Sequence, residues 1–156
     1  MFTELAKQYD RPFLPFLPAA PIDDRAAWEN LDPELKSRLV EDANACCPAA
    51  WPVMLATDYL DFSRTGNRTR FEDKQFGRRT LLNTLVLGEC IENRGRFLDD
   101  ILNGIFAICE ESAWQLPAHN SYIRDTPQLP VPDVTRPVID LFAAETGAVL
   151  ATALSL

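Results

Sequence analysis

Apolar residues recur at helical spacing along most of the chain, and no segment alternates apolar and polar residues as a half-buried strand would. We therefore expect an all-α fold. The pattern predicts six helices: a short one capped by Asp23 or Asp24, one beginning at Pro33, one from Val53 to about Arg64, a long one from about Thr69 to Asn93, one from Phe97 to Ser112 and a last one from near Pro137 to the end.

Local signals indicate how these helices begin and connect. Asp32-Pro33-Glu34 is typical of a helix N-terminus, because Asp caps free N–H groups, Pro fits the first turn and an acid complements the helix dipole. Gly95 separates the long helix that ends near Asn93 from the helix that begins at Phe97, and so short a connection makes them an antiparallel hairpin. Residues 1–22 carry four prolines and are expected to form an extended arm. The remaining residues, 23–156, are expected to form helical hairpins within a single all-α domain.

The C-terminal segment carries an unusual pattern, because no charged side chain follows Glu145. A helix that is apolar all round needs burial on every side, and helical arrays usually end in a unit with a polar outer face. Either this helix inserts into the centre of the domain, or the chain is a fragment of a longer array. Glu145 itself needs a partner if it is buried, and we expect an ion pair with an arginine such as Arg78.

The charge and hydropathy of the chain argue against several classes of function. The formal net charge of −8 argues against a nucleic-acid partner, which would need a basic footprint. No apolar stretch suggests a membrane span, and the N-terminus lacks the pattern of a secretory signal, so a cytoplasmic protein is expected. No motif indicates a metal site or a cofactor, and none is expected. Ion pairs on a solvated helix face are expected for five clustered arginines: Arg64, Arg68, Arg70, Arg78 and Arg79.

The segment Ile105–Asn120 joins an apolar helical run to a group of polar and aromatic residues. Apolar residues near its start, with Leu102 and Phe106 among them, predict a buried helix face, and Pro117 stops any continuation of the helix. The loop beyond holds the only histidine of the chain, and loops on a rigid scaffold often present polar groups to a ligand. Five residues are our candidates for substrate binding: Glu111, Trp114, His119, Asn120 and Tyr122.

Each of these side chains also has an alternative structural role. Trp114 could stack on a sugar ring or close the end of the helical hairpin. His119 could contact a substrate or hydrogen-bond the backbone of its own loop. Glu110 and Glu111 lie about 100° apart around a helix and cannot form a carboxylate dyad. One of the two is expected to face a cleft or a buried arginine, and the other to face water.

Three segments resemble, in order, the N-terminal helical region of heparinase II/III-like proteins: Tyr59–Arg79, Ile105–Asn120 and Ile139–Ala151. The similarity covers about residues 50–156. This resemblance implies that the helical hairpins form part of an incomplete α/α toroid, which in that family precedes large β-sheet domains in a much longer chain. It also implies that this chain is a fragment of a longer toroid, with C-terminal domains missing.

Characterised members of that family are polysaccharide lyases, which cleave acidic polysaccharides such as glycosaminoglycans by β-elimination at a uronic acid. A base removes the proton alpha to the carboxylate, a tyrosine or histidine protonates the leaving oxygen, and an asparagine or histidine neutralises the carboxylate. The family's main residues for these steps lie beyond this chain, which departs from the pattern in having one histidine. The resemblance therefore implies a carbohydrate-binding segment for an acidic polysaccharide or oligosaccharide, with lyase activity only in a longer protein.

Two other function classes stay open. An α-helical interaction module would bind a protein or peptide in an apolar groove between hairpins. A toroid glycoside hydrolase fragment would place two carboxylates from different helices about 5–10 Å apart across one cleft. Unpaired helices would also expose apolar faces, so a homo-oligomer is expected.

Overall fold

The computed structural model describes residues 19–121, 123 and 127–156. Most of the predicted extended arm at residues 1–22 and the candidate Tyr122 lie outside these residues. The described part is all-helical, with a single 3-10 turn at Pro117–His119 and no strand. None of its helices has the length and apolar character needed to cross a membrane. Its α-helices are α1 (Arg25–Glu29), α2 (Pro33–Ala45), α3 (Ala56–Thr65), α4 (Thr69–Glu92), α5 (Leu98–Cys109) and α6 (Leu141–Ser155).

Helix α4 is the centre of the fold, and the other five helices pack against it. Its buried apolar residues include Leu82, Leu85 and Val86, which form the core with Trp28 of α1 and other apolar side chains. The backbone enters the left-handed region at Asn93 and Gly95, which reverses the chain between α4 and α5. Side chains near the C-terminus of α4 contact the start of α5, and those nearer its middle contact the end of α5. The predicted antiparallel hairpin is thereby confirmed.

Acidic side chains cap three helices, and for α1 and α2 these caps stand where the sequence predicts them. Asp24 accepts a hydrogen bond from the Ala27 N–H, and Asp32 accepts one from the Leu35 N–H. Asp140 caps α6 through the Ala143 N–H at 2.7 Å. Each cap satisfies a backbone donor that the helix itself leaves unpaired. The predicted N-termini of α1 and α2 are thus confirmed to within a residue, whereas α6 begins four residues after Pro137.

The prediction that Leu102 and Phe106 lie on the buried face of α5 is wrong. The inward face of α5 consists of Ile101, Gly104 and Ile108, while Leu102 and Phe106 are 61% and 65% exposed. The reason is that apolar residues cover most of the circumference of this short helix, so periodicity alone does not select the packed face. Together with Leu98, these two residues form an exposed row on one side of the helix, which we call the α5 stripe.

Helix α6 lies on the surface of the domain. Thr146 and Leu150 are buried against the rest of the molecule, whereas Leu141 and Leu154 are 81% and 76% exposed. The alternative in which this helix inserts into the centre of the domain is therefore wrong. Its last turn is held by a backbone hydrogen bond from the Ile22 N–H to the Leu156 carbonyl at 2.5 Å.

Candidate functional site

Glu111, directly after α5, is the anion of a buried cluster with two arginines of α4. Arg79 donates from Nη1 to Oε1 at 2.7 Å and from Nη2 to Oε2 at 2.6 Å, which is a two-point contact. Arg78 adds a hydrogen bond from Nη1 to Oε1 at 2.9 Å. All three side chains are at most 10% exposed. Arg78 and Arg79 therefore do not lie on the solvated face that the sequence predicts, whereas Arg68 and Arg70 do form partly exposed ion pairs.

The expected pairing of Arg78 with Glu145 is wrong. Glu145 is exposed on α6, and Glu111 occupies the position facing both arginines. One of the two adjacent acids was expected to face a cleft or a buried arginine and the other to face water; Glu111 faces the buried arginines and Glu110 is exposed. Glu111 becomes the buried acid because it stands where the helix has ended and the chain turns back across α4.

The same arginines connect α4 to three other segments. Arg78 Nε donates to the Pro52 carbonyl at 2.8 Å, and its Nη1 also donates to the Ala107 carbonyl at 2.9 Å. Arg79 Nε donates to the Thr146 hydroxyl of α6 at 3.1 Å. Buried charges are tolerated only when paired and hydrogen-bonded, and here Nε and Nη1 of both arginines donate to protein groups.

Trp114 closes the open end of the α4–α5 hairpin. Its indole N–H donates to the Ile108 carbonyl at 3.0 Å, and its own carbonyl accepts from Gln75 Nε2 at 2.6 Å. The ring is half-buried and packs against the core. These contacts correspond to the structural role of Trp114, and its role in stacking on a sugar stays a prediction.

His119 lies at the surface, in the 3-10 turn, and is joined to the start of α6. Its Nδ1 is 2.7 Å from Asp140 Oδ2, an oxygen that also accepts from the Leu116 N–H at 3.1 Å. Because a carboxylate accepts, Nδ1 carries the proton, and Nε2 is the ring nitrogen left for a ligand. The imidazole stacks on Phe142 with 5.8 Å between ring centroids, and its side chain is 36% exposed.

Asn120 is buried and its side chain holds a loop. Nδ2 donates to the carbonyls of Leu129 and Val131 at 2.8 and 2.7 Å, and Oδ1 accepts from Gln115 Nε2 at 3.2 Å. The side chain is thereby engaged at both ends by protein groups. The structure brings His119 and Asn120 to neighbouring positions but directs them to different partners.

A groove between α4 and α6 lies beside His119, and we call it the α4–α6 groove. Phe76 is 38% exposed, and its ring centroid lies 5.3 Å from that of Phe142. With the stacked imidazole, the two rings make a row of three aromatic groups. The groove encloses about 320 Å³, and polar residues complete its lining: Gln75, Arg79, Thr80, Asn83, Glu145 and Thr146.

Sequence reasoning missed this groove, although one signal for it was present. Phe76 stands among polar residues, and its helical neighbours Asp73 and Thr80 are polar as well. An aromatic residue flanked by polar residues at helical spacing indicates the outer face of a helix. Its partnership with Phe142, 66 positions later, follows only from tertiary packing.

A second and larger concavity lies on the other side of Glu111, and we call it the Arg78 cavity. It has a volume of about 520 Å³ and lies between the start of α3, the end of α5 and the loop at residues 131–134. Its walls are largely apolar, and its polar side chains are those of Arg78, Glu110, Glu111, Ser112 and Tyr59.

The pKa is raised at Tyr59, which lines the Arg78 cavity, and at the partly buried Cys47. Burial raises the pKa of Tyr59, the charge of Asp140 raises it further, and the side chain of Gln115 opposes the rise. A hydrogen bond to Asp100 raises the pKa of the Cys47 thiol, with burial and the charge of Asp100 adding to it and Arg96 opposing it. Neither group lines the α4–α6 groove.

Among the described residues, no three His, Cys, Asp or Glu side chains come together as a metal site would require. Comparison of the sequence with models of known protein families finds no match, and comparison with curated proteins finds none either. The groove and the cavity are therefore the features of this protein that indicate a function.

Proposed function

We propose that this chain binds an acidic oligosaccharide in the α4–α6 groove, as part of an incomplete α/α toroid of a heparinase II/III-like polysaccharide lyase. The observation that carries the proposal is the row of His119, Phe142 and Phe76 beside amide, hydroxyl and carboxylate groups. The C–H face of a sugar ring is weakly positive and suits the negative face of an aromatic ring. Side chains such as Asn83 and Thr80 have the donors and acceptors that sugar hydroxyls require.

His119 supplies the contact to the acidic group of the saccharide in this proposal. Asp140 holds the imidazole through Nδ1, and this contact sets the orientation of Nε2. When the ring is protonated, Nε2 can donate a hydrogen bond to a carboxylate. One histidine does not complete the set of groups needed for β-elimination. The chain therefore contributes binding, and the lyase reaction requires groups from further domains of a longer protein.

Isothermal titration calorimetry with defined hexasaccharides tests this proposal. We would compare heparin, chondroitin sulfate and alginate hexasaccharides with neutral laminarihexaose, at about 0.15 M NaCl to screen the negative net charge. We expect at least one acidic hexasaccharide to bind, and Phe76→Ala to weaken that binding about fivefold or more, because an aromatic contact is lost.

Leu102→Ala is the matched control, because it also truncates an exposed apolar side chain, on a different helix. It should leave saccharide binding unchanged. Absence of binding to all three acidic hexasaccharides, or equal binding by wild type and Phe76→Ala, would contradict the proposal.

One observation favours a second candidate, an α-helical module that binds a protein or peptide. The α5 stripe exposes three large apolar side chains in a row, a pattern typical of a surface that another helix covers. In that case the substitution Leu102→Ala would weaken partner binding, and Phe76→Ala would not. The two candidate functions thus predict opposite outcomes for the same pair of variants.

A further inference from the structure

The Arg78 cavity has the size and lining of a small-molecule site. Its volume of about 520 Å³ falls within the range of about 300–1,000 Å³ typical of ligand pockets. Apolar side chains from three separate segments form its walls: Val53, Met54, Leu55, Phe71, Val131 and Val134. Such walls favour an apolar ligand body, because its burial removes hydrocarbon surface from water.

Arg78 places an unused hydrogen-bond donor at this apolar cavity. Its Nε donates to the Pro52 carbonyl, and its Nη1 donates to Ala107 and Glu111. No described residue accepts a hydrogen bond from Nη2. The three bonds on the other nitrogens fix the plane of the guanidinium, so Nη2 is held in one orientation and its N–H groups are available to an acceptor.

The charge balance around Arg78 favours an anionic acceptor. Arg78 and Arg79 together carry two positive charges, and among the residues that the structure describes Glu111 is the single acid that pairs with them. The buried cluster is therefore left with one net positive charge. Glu110 also lines the cavity, but it is exposed, so water screens its charge far more than that of a buried group.

We infer that the Arg78 cavity binds a small amphipathic acid, with its carboxylate on Arg78 Nη2 and its apolar body against the walls from α3 and the loop at residues 131–134. A carboxylate supplies both the negative charge and the acceptor that the cluster lacks. This inference does not depend on the proposed oligosaccharide site, which lies in the α4–α6 groove and shares none of these apolar wall residues.

Calorimetric titration with decanoic acid and with 1-decanol tests the inference. The two probes share a chain length and differ in the charged head group. We expect decanoic acid to bind and 1-decanol to bind at least about tenfold more weakly, because the alcohol loses a charge-assisted hydrogen bond. Arg78→Lys should reduce decanoic acid binding about tenfold and leave 1-decanol binding unchanged, since Lys lacks the planar fork of donors.

A cavity-filling variant keeps the inference testable if Arg78→Lys does not fold. Ala107 lines the cavity from α5, so Ala107→Phe should abolish binding of both probes. Ala148→Phe is the control, because Ala148 is exposed on α6 and does not line the cavity. Absence of decanoic acid binding to the wild type, equal affinity for acid and alcohol, or unchanged binding by Ala107→Phe would each overturn the inference.

Discussion

At the scale of single residues, the decisive feature is that Glu111 balances two arginines inside the protein. Removing one partner of a buried ion pair leaves uncompensated charge, which is more destabilising than the loss of the contact alone. Glu111 accepts three hydrogen bonds from Arg78 and Arg79, and its side chain is 3% exposed. Its contribution to stability should therefore far exceed that of any ion pair on the surface.

We predict that Glu111→Gln lowers the free energy of unfolding by about 3 kcal/mol or more, since it keeps the shape and removes the charge. Urea denaturation measures this directly. Glu110→Gln makes the same change one residue earlier, at an exposed position. Its free energy of unfolding should stay within about 0.5 kcal/mol of that of the wild type. Equal stability of the two variants would show that the buried cluster does not stabilise the fold.

The sequence indicated which residue types form the candidate site, but it did not indicate which groups those residues contact. It indicated that one of Glu110 and Glu111 faces a cleft or a buried arginine and the other faces water, because adjacent helical positions point in different directions. It did not reveal that Arg78 and Arg79 are both buried, since a pair of basic residues usually marks a solvated face. Their acceptors are an acid 32 positions from Arg79 and backbone carbonyls of other segments, which only the tertiary fold brings close.

At the scale of helices, local signals predicted where an element begins, and packing decided which side is buried. Asp32 and Gly95 act through neighbouring backbone, so the start of α2 and the reversal before α5 could be read from the sequence. Helix α3 begins three residues later than predicted, at Ala56, and the carbonyl of Pro52 before it accepts a hydrogen bond from Arg78 on another helix. The exposure of Leu102 depends on where α4 lies, and no local signal encodes it.

Close packing of α2 and α4 gives a prediction at Gly88. A Cβ at this position would stand closer to the Ala43 Cβ than two carbon atoms can approach, and 3.2 Å from Phe97 Cε2. We expect Gly88→Ala to lower the free energy of unfolding by about 1–3 kcal/mol despite the better helix propensity of alanine.

Gly147 provides the matched comparison for Gly88. It also lies within a helix, but a Cβ there would have no neighbouring atom within 4 Å. Gly147→Ala should therefore raise the free energy of unfolding by up to about 1 kcal/mol. Thermal and urea denaturation of both variants measure the difference, and equal effects of the two substitutions would contradict the observed α2–α4 packing.

At the scale of the whole molecule, two exposed apolar faces occur on a protein with a net charge of −8. The α5 stripe and the outer side of α6 leave large side chains in water, which favours association. Net negative charge opposes the approach of two copies. The exposed acids Asp99 and Glu110 lie near the two ends of α5, which carries no basic residue. Association through this helix should therefore depend on salt.

We predict that the protein self-associates through the α5 stripe, and more strongly at higher NaCl concentration. Raising the salt from about 0.05 to 0.5 M shortens the screening length to a few ångströms and weakens the repulsion between acids, while apolar burial is retained. Light scattering after size-exclusion chromatography should show a mass that rises with protein and salt concentration. Leu102→Glu should keep the protein monomeric, whereas Leu129→Glu, at a loop position of similar exposure, should not. A monomer under all conditions would contradict the prediction, and the α5 stripe would then be a surface that no second copy covers.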